Sequence, residues 1–432
     1  MERQYKNSGI EWIGRIPKEW NTTAIKQLMY LYAGATPKSD KKEFWDGDIV
    51  WITPADYKTE DVFISKGRRN ISAKGMESCA TTLLPINSII FSKRAPIGLV
   101  VLNSEPLCTN QGCIGCIPKK EKAYSKYYYY ALSAFTEQFE LYGAGTTFKE
   151  ISANNFANFL LPFPQIEEQQ LIAEYLDVKC GEIDGLIALQ EQMIAQLTDY
   201  KQSVITESVT KGLNSDAELV PSGIDWIGDV PKGWKVCRIK DIFRLRTGTT
   251  PKDFEQGLSS DALVNWFTPS DVAEMNCELS SSERHLSQEV IKKEGIELSP
   301  AGSLIFVGIG ASAGKIGYAT VEGYSNQQIT MLIPKQNKCF GKYSYFYMIA
   351  DRKRIRDNAF FTTLPIINNT YLSGIKTLLP PIDEQRAIVE YLDTKCGEID
   401  RLIETKRQKI ETLKEYKKSV IYEAVTGKTV VI

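Results

Sequence analysis

The sequence predicts an α+β fold: two similar globular domains, separated by two long helices that form an antiparallel coiled coil, in a pseudo-twofold internal repeat. Three observations predict it. They are a tandem repeat, two long helical segments with a narrow apolar seam, and blocks of short apolar strands punctuated by turn residues. With 432 residues, the chain is too long for one ordinary domain and can bury several cores.

A Trp/Gly/Pro-rich phrase shows the repeat most directly. SGIEWIGRIPKEW at 8–20 returns as SGIDWIGDVPKGW at 222–234. Further pairs follow in the same order: GATPK with GTTPK, WITPAD with WFTPSD, Asn110-Gln111 with Asn326-Gln327, and YLDVKCGEID with YLDTKCGEID. Because their order and spacing agree, a tandem duplication explains the chain. We expect each phrase to form an apolar clasp on the end of a long helix.

The duplication divides the chain into four predicted segments. They are a first globular domain at 1–163, a first long helix at 164–211, a second globular domain at 212–379 and a second long helix at 380–432. PFPQIEEQ and LLPPIDEQ each supply a proline stop followed by an acidic first turn, which is a good helix start. A helix of about 40 residues extends about 60 Å.

Apolar residues in the two helical segments follow alternating three- and four-residue steps. Such a narrow seam over a long segment favours a coiled coil over the alternative, a surface helix packed on its own domain. Two such helices in one chain would most simply pair with each other. The predicted seam residues are Ile183, Leu186, Met193, Leu197, Tyr200, Val204, Ile399, Leu402, Leu413, Tyr416 and Val420. The same spacing places the polar residues Gln190, Lys406 and Lys409 on the seam.

The blocks between these landmarks predict mixed α/β structure. Short apolar strands such as DIVWIT, SIIFSK, SLIFVGIG and ITMLIP alternate with turns, and Tyr/Phe-rich helical stretches follow at 124–142 and 342–358. These blocks differ between the two copies more than the repeated phrase and the helices do. We therefore expect the two domains to share one scaffold and to have different surfaces.

Composition and charge limit the cellular setting. No window approaches eighteen uninterrupted apolar residues, and MERQYKNSG lacks the apolar stretch of a signal peptide, so we expect a cytoplasmic protein with reduced cysteines. The net charge of −1 hides two mildly basic blocks around an acidic segment at 164–234. Because local fields decide binding, this net charge leaves nucleic-acid binding open.

Catalytic and metal signatures are weak. GIGASAGKIG at 308–317 lacks the glycine spacing of a Walker loop and is interpreted as a turn. Cys113-x-x-Cys116 has no second CxxC partner, so we interpret both cysteines as apolar strand residues and not as zinc ligands. His285, the only histidine, excludes most Ser-His and Cys-His nucleophile arrangements. We therefore predict no catalytic residue, no metal and no cofactor bound by this chain.

Loops that combine Lys or Arg with Thr, Ser or Gly remain as candidates for binding. Lys and Arg suit phosphates, and Arg, Lys and Thr also read base edges. Each alone is more often a solvated surface charge, but recurrence at equivalent positions favours Lys38 with Lys252 and Thr146-Thr147 with Thr362-Thr363. The candidate DNA-binding residues are Thr36, Lys38, Arg68, Arg69, Lys93, Arg94, Thr146, Thr147, Lys149, Thr250, Lys252, Ser312, Lys315, Arg352, Arg354, Thr362 and Thr363.

With these residues in view, the chain resembles the specificity subunit of type I restriction-modification systems. The matching elements are G-x-T-P-K, W-I-T-P-x-D, the P-x-x-S-I-I-F strand with its Ser/Gly-rich turn, Asn-Gln before a strand, and LP-P-x-x-E-Q before a long helix. They occur in order in both halves. The resemblance implies two target-recognition domains, each reading one half of a split double-stranded DNA target, and helices that fix the gap between the halves.

The resemblance also implies partners for a non-catalytic recognition subunit. Two methyltransferase (modification) subunits would dock on the helices, bind S-adenosylmethionine and methylate adenine. Restriction (motor-nuclease) subunits would use ATP and Mg²⁺, and no membrane is involved. Two alternatives remain: the specificity portion of a self-contained methyltransferase-nuclease system, which the missing catalytic motifs oppose, and a two-domain protein-binding scaffold.

Overall fold

The computed structural model describes residues 3–94, 96–143, 149–251, 264–274, 277–287, 290–291, 297–335, 338–358, 360–361 and 365–431. The chain forms two compact units: Met1–Glu191 with Arg407–Ile432, called the first unit, and Gln192–Lys406, called the second unit. Each unit contains part of both long helices and is described by itself. The domain boundaries given by the sequence stay a prediction. No helix within the described ranges is long and apolar enough to cross a membrane.

The first unit is built around a five-stranded sheet and a three-stranded sheet, called here the small sheet. In spatial order, the five strands are Met29–Ala33, Cys113–Pro118, Ile89–Ser92, Val100–Asn103 and Phe63–Ile64. The small sheet has the order Leu107–Thr109, Trp45–Ile52 and Arg69–Ile71. Two-stranded pairs join Tyr5–Asn7 with Arg15–Pro17 and Asn21–Ala24 with Leu160–Phe163. The short helices are Ile25–Leu28, Ala73–Glu77, Ser125–Ala134, Thr136–Leu141 and Ala153–Asn158, with single 3-10 turns at Lys42–Phe44 and Pro54–Asp56.

The second unit repeats both sheets with the same strand order. Its five strands are Phe243–Thr247, Ile329–Pro334, Leu304–Val307, Ile316–Ala319 and Glu278–Leu279, and its small sheet has Tyr324–Ser325, Val264–Phe267 and His285–Leu286. Two-stranded pairs join Leu219–Pro221 with Asp229–Pro231, Lys235–Arg238 with Lys376–Leu379, and Phe360–Phe361 with Pro365–Ile366. The described short helices are Ile239–Ile242, Gly341–Ala350, Arg352–Asp357 and Asn369–Gly374. The predicted α+β fold with a duplicated domain is confirmed.

The two long helices are Ile166–Lys211 and Ile382–Val425, called the first and second long helix. A buried glutamine in each E-Q motif joins its helix to the tyrosine-rich helix of the same unit. The Gln169 amide oxygen accepts a hydrogen bond from the backbone N–H of Tyr124 at 2.8 Å, and Gln385 accepts one from Phe340 at 2.8 Å. The motif therefore fixes the long helix against its own domain.

In each unit the helices pair through a heptad seam. The buried or half-buried seam positions of the first unit are Leu176, Cys180, Ile183, Ile187, Gln190, Ile410, Leu413, Lys417, Val420 and Ala424. Those of the second unit are Leu392, Cys396, Ile399, Ile403, Lys406, Ile194, Leu197, Lys201, Val204 and Ser208. These positions alternate in steps of four and three, which is the coiled-coil repeat.

Part of the predicted seam is wrong. Leu186, Met193, Tyr200, Leu402 and Tyr416 are exposed on the helix surfaces. Among the polar residues, Gln190 is buried in the seam and Lys406 is half-buried there, as predicted, but Lys409 is exposed. The seam also contains buried Lys201 and Ser208, which were not predicted. Because these residues interrupt the apolar pattern, apolar periodicity alone selected a neighbouring face of the helix.

The repeated Trp/Gly/Pro phrase joins two helix ends within each unit. In the first unit, the Trp20 indole N–H donates to Glu168 at the start of the first long helix, at 2.7 Å. The same indole packs against Gly427, just after the end of the second long helix. In the second unit, Trp234 donates to Glu384 at 3.0 Å and packs against Gly212. The predicted clasp is confirmed, and the start of one helix meets the end of the other, as in an antiparallel pair.

Candidate nucleic-acid interface

Three repeated motifs meet at one place in each unit, called here the motif junction: the G-x-T-P loop, the W-x-T-P-x-D turn and the Asn-Gln turn. Gly34 begins the loop and lies against the end of the small-sheet strand Leu107–Thr109, where a Cβ atom would be 2.1 Å from the Asn110 carbonyl oxygen. The next residue, Ala35, donates its N–H to Thr109 at 2.9 Å. Gly248 repeats this close approach at the Asn326 carbonyl oxygen, so this position requires glycine in both units.

The aspartate of W-x-T-P-x-D fixes the turn and the neighbouring edge strand together. One carboxylate oxygen of Asp56 accepts hydrogen bonds from the N–H and hydroxyl of Thr53, both at 2.7 Å. Its other oxygen accepts the backbone N–H of Arg68 at 3.0 Å, just before the edge strand Arg69–Ile71. In the second unit, Asp271 makes the same bonds to Thr268 and to the N–H of Glu283, the last at 2.7 Å.

The Asn-Gln turn brings a glutamine amide to the G-x-T-P loop. The Thr36 hydroxyl donates to the Gln111 amide oxygen, and the Thr250 hydroxyl donates to Gln327 in the second unit. Both glutamines are exposed. Each motif junction therefore presents the same hydroxyl–amide pair at the surface, a pair able to contact phosphate or sugar oxygens.

Basic side chains surround the motif junction of the first unit. The Arg69 guanidinium stacks 4.0 Å from the centre of the Trp45 ring, and the Trp45 indole N–H donates to the Lys38 carbonyl oxygen at 3.1 Å. Arg68 donates to the Ala55 carbonyl oxygen at 2.8 Å and is exposed beyond it. Arg68 also lies 3.6 Å from Asp56 and Arg69 4.0 Å from Asp46, but both side chains stay largely exposed, so the two arginines beside the buried Trp45 suit a polyanion.

The predicted Ser/Gly-rich turn adds to the same surface. Lys93 donates its N–H to Gly112 of the Asn-Gln turn at 2.9 Å, and its ammonium pairs with Glu150 at 2.7 Å. Arg94 follows it at intermediate exposure. In the second unit, the N–H of Gly308 donates to the Gln328 carbonyl oxygen, as Lys93 does to Gly112 in the first. Residues 308–315 form the turn between the antiparallel strands Leu304–Val307 and Ile316–Ala319. The interpretation of GIGASAGKIG as a turn is confirmed.

A family model described as "Type I restriction modification DNA specificity domain" matches the chain twice, at residues 17–199 and at residues 231–415. The chain belongs to this family. Each matched range contains one complete motif junction. The chain is a type I specificity subunit with two DNA-recognition domains, as the sequence resemblance predicted.

One known specificity subunit is similar to the chain over nearly its whole length, and another over about half of it. The MjaIX specificity subunit of Methanocaldococcus jannaschii is 27% identical over 446 residues, covering 99% of this chain and 96% of that protein. The EcoR124I/EcoR124II specificity subunit of Escherichia coli is 27% identical over 219 residues, covering 49% and 47%.

Two solved chains share the fold. One comes from work on complex assembly and conformational transition of the type I R-M system; it has a TM-score of 0.74 at 15% identity and covers 96% of this chain and 99% of that chain. The HsdS subunit of Thermoanaerobacter tengcongensis has a TM-score of 0.52 at 15% identity, covering 96% and 98%. These likenesses support the specificity-subunit fold.

The structure places the candidate DNA-binding residues in different settings. At the motif junctions lie Thr36, Lys38, Arg68, Arg69, Lys93, Arg94 and Thr250. Lys149 is exposed near Gly143 in the first unit, and Ser312 lies in the turn 308–317. Thr146, Thr147, Lys252, Thr362 and Thr363 lie outside the described residues.

A separate group of cations in the second unit is engaged internally. Arg352 hydrogen-bonds to the side chain and backbone of Glu274, and Lys315 and Arg356 lie 3.8 Å and 3.7 Å from the Glu274 carboxylate. Partial burial alone would raise the pKa of Glu274, but the bond to Arg352 and the nearby cations lower it below its ordinary value. Arg354 is paired with buried Asp351. Arg352, Lys315 and Arg356 therefore share one carboxylate, and Arg354 has a partner of its own.

The repeat gives a second view of this group. The helix Arg352–Asp357 corresponds to Thr136–Leu141 in the first unit, where TEQFEL replaces RKRIRD. An acidic helix at the equivalent position is unsuited to DNA phosphates. Arg352 and Arg354 therefore have a structural role through their bonds to Glu274 and Asp351. Contact of these two residues with DNA stays a prediction.

Two residues at the second motif junction were missed from the sequence. In the second unit, Arg284 and His285 lie beside the strand Val264–Phe267. In the first unit, Arg69 and Asn70 lie in the equivalent place beside the strand Trp45–Ile52. The repeat carried the signal, because the W-x-T-P-x-D motifs are 215 residues apart and the same offset leads from Arg69 to Arg284.

Buried thiols and the absence of a ligand cluster bear on metal binding. Cys113 and Cys116 lie on the interior strand Cys113–Pro118 and are fully buried. Burial raises the pKa of the Cys113 thiol to about 12 and also raises the pKa of Cys116, which disfavours the thiolates that bind zinc. Within the described ranges, no group of three or more His, Cys, Asp or Glu side chains is placed to hold a metal ion.

Substituting Gly34 with alanine is expected to lower stability by about 1–3 kcal/mol, because the new methyl group would overlap the Asn110 carbonyl oxygen. Displacing the loop should also weaken DNA binding. Thermal denaturation followed by circular dichroism and a DNA gel shift measure the two effects. Gly181→Ala is the control: its Cβ meets open space within the first long helix, so it should stabilise by up to about 1 kcal/mol. Equal midpoints for Gly34→Ala and wild type would contradict the close approach.

Proposed function

We propose that this specificity subunit directs a restriction-modification complex to a split double-stranded DNA target, each recognition domain reading one half. The motif junctions carry the proposal: the same loop, turn and hydroxyl–amide pair recur in both units, surrounded by different side chains. A common frame with different surface chemistry is what two unlike half-sites require. Phosphate contacts would supply affinity, and the surrounding side chains would supply base selection.

The two long helices would set the gap between half-sites and dock two methyltransferase subunits. Support comes from exposed apolar residues that recur in both units. The first unit exposes Leu186 and Tyr416, and the second unit exposes their repeat equivalents Leu402 and Tyr200. Exposed apolar side chains on a helix mark protein contacts when they cluster. One such set in each unit suits two copies of one partner.

Catalysis would belong to the partners. The methyltransferase subunits would bind S-adenosylmethionine and methylate adenine, and restriction subunits would use ATP and Mg²⁺ for cleavage. This chain would contribute recognition and no catalytic residue, and it would act in the cytoplasm. The carboxylates of Asp56 and Asp271 support this division of roles, because their hydrogen bonds hold the Thr-Pro turn and the edge strand in place.

Methylation mapping tests the function. A host genome expressing this chain with co-expressed methyltransferase subunits should acquire adenine methylation at a split motif with a fixed gap. Omitting this chain is the control and should abolish the motif. A protein-binding scaffold, the alternative class, predicts unchanged methylation and no gel shift on DNA.

Exchanging residues 21–160 with the corresponding segment of another specificity subunit is expected to change one half of the methylated motif. The clasp and both long helices are kept in this exchange, so the other half and the gap should stay the same. Sequencing that detects methylated adenine on both strands measures the outcome. A change in both halves would contradict independent reading by the two domains.

A further inference from the structure

We propose that the edge strand of the small sheet selects bases in each recognition domain, through Arg69 and Asn70 in the first unit and Arg284 and His285 in the second. The inference rests on the proposed function and assigns the specificity-determining residues within it. The hydroxyl–amide pairs Thr36–Gln111 and Thr250–Gln327 would instead contact the DNA backbone that both half-sites share.

The edge strand is held by its backbone. Asp56 accepts the N–H of Arg68 at 3.0 Å, and Asp271 accepts the N–H of Glu283 at 2.7 Å, in each case one residue before the proposed reading pair. The carboxylate also binds its own Thr-Pro turn, so the strand is tied to the motif junction. Asp56 and Asp271 are therefore positioning residues for the strand.

One end of each edge strand is buried and the other is open. Ile71 and Leu286 are both fully buried in small apolar clusters, against Trp51 and Trp266 respectively. Arg69 and Arg284 are exposed, and Asn70 and His285 are half-buried. Among the strands that the structure describes, each edge strand pairs on one side only, so its other edge faces outward. Each edge strand is fixed at its start by the aspartate and at its end by the buried apolar residue. The backbone that carries the polar residues between these two points therefore has little conformational freedom.

The chemistry of these positions differs between units although their anchors are the same. The first unit reads Arg68-Arg69-Asn70 and the second reads Glu283-Arg284-His285. The adjoining turn carries Lys93-Arg94 in the first unit and Gly308-Ile309 in the second. Arginine pairs with guanine edges and asparagine with adenine edges, so these positions have the functional groups for direct readout. Asn70 and His285 differ on an identical frame and would distinguish the two half-sites, whereas Arg69 and Arg284 would offer the same functional group to a base in each half-site.

Position relative to the phosphate-binding candidates supports the same assignment. Arg69 stacks on Trp45, whose indole N–H holds the Lys38 carbonyl oxygen at 3.1 Å. The Lys38 loop also carries Thr36 of the hydroxyl–amide pair. The edge strand thus lies beside the surface proposed to bind the backbone, which is where a base-reading element must be.

Grafting tests the inference. In the full chain with co-expressed methyltransferase subunits, Glu283→Arg combined with His285→Asn gives the second unit the side chains of the first. DNA bound from a randomised pool should then show altered bases in one half-site, with the other half-site and the gap unchanged. A second variant, Arg284→Lys, keeps the charge and removes the bidentate fork, so discrimination at one base pair should fall roughly 5- to 100-fold.

The controls separate the possible failures. Lys232→Ala alters an exposed ion pair with Glu218 in the same unit and should leave both half-sites as in wild type. Gln327→Ala should weaken binding to all sequences while keeping the preferred bases. If wild type selects a split motif and both edge-strand variants select the same one, the inference is overturned and the proposed function stands. If wild type selects no motif, the proposed function itself fails.

Discussion

Replacing Trp20 with alanine is expected to lower the free energy of unfolding by about 3–5 kcal/mol, a large fraction of the stability of a domain. Trp20 is 1% exposed, and its indole donates to Glu168 at 2.7 Å while Arg3 lies 5.3 Å from the ring centre. The ring also fills the space beside Gly427. Truncation would leave a cavity where the two helix ends meet and would remove one of the hydrogen bonds to the Glu168 carboxylate, which keeps its bond from Arg3.

Denaturation by urea, followed by far-ultraviolet circular dichroism, measures the loss. Trp20→Phe is the matched control, because it keeps most of the ring and removes the hydrogen bond to Glu168. We expect Trp20→Phe to cost about 1–3 kcal/mol, between wild type and the alanine variant. An alanine variant that unfolds at the wild-type urea concentration would show that the clasp does not hold the helix ends.

Replacing Asp400 with alanine is expected to cost about 2–4 kcal/mol, because it leaves the Lys201 ammonium without its partner in the helix seam. Both carboxylate oxygens of Asp400 lie 2.7 Å from Lys201 Nζ, and Lys201 is 2% exposed. Asp400 is 41% exposed, which places the expected cost below that of a fully buried pair. Calorimetric unfolding of the full chain measures it.

The repeat supplies a matched control for this pair. Asp184 bonds Lys417 at 2.8 Å in the first unit, but this lysine is 27% exposed, so Asp184→Ala should cost no more than about 1 kcal/mol. Lys201→Met should cost less than Asp400→Ala, because it leaves no buried charge and the remaining Asp400 carboxylate is 41% exposed to water. Equal losses for Asp184→Ala and Asp400→Ala would mean that burial of the lysine does not determine the effect.

The duplicated α+β fold was predictable because so many short motifs recur in one order. The sheet orders were not predictable, because pairing between distant strands depends on packing that no local pattern encodes. The seam failed for a physical reason. Lys201 and Ser208 occupy core heptad positions, while Leu186 and Tyr200, which continue an apolar pattern, are exposed.

The candidate site was predictable as a set of loops and not as a set of contacts. Thr36, Lys38, Arg68 and Arg69 were recognised by residue type, and the structure brings them to one surface. Arg352 was recognised in the same way, yet it is bonded to Glu274. Residue type cannot distinguish a cation offered to solvent from one neutralised by a carboxylate far away in sequence.

The anchor of the edge strand has an evolutionary consequence. Asp56 and Asp271 hold the strand through a backbone N–H, which every residue except proline provides, so this bond forms with different side chains at the position, although Arg68 also places its guanidinium 3.6 Å from Asp56. Arginine in one unit and glutamate in the other occupy this position on the same frame. Mutation can therefore reverse the charge of the surface without rebuilding the scaffold, and a new DNA preference can arise by single steps while the fold is preserved.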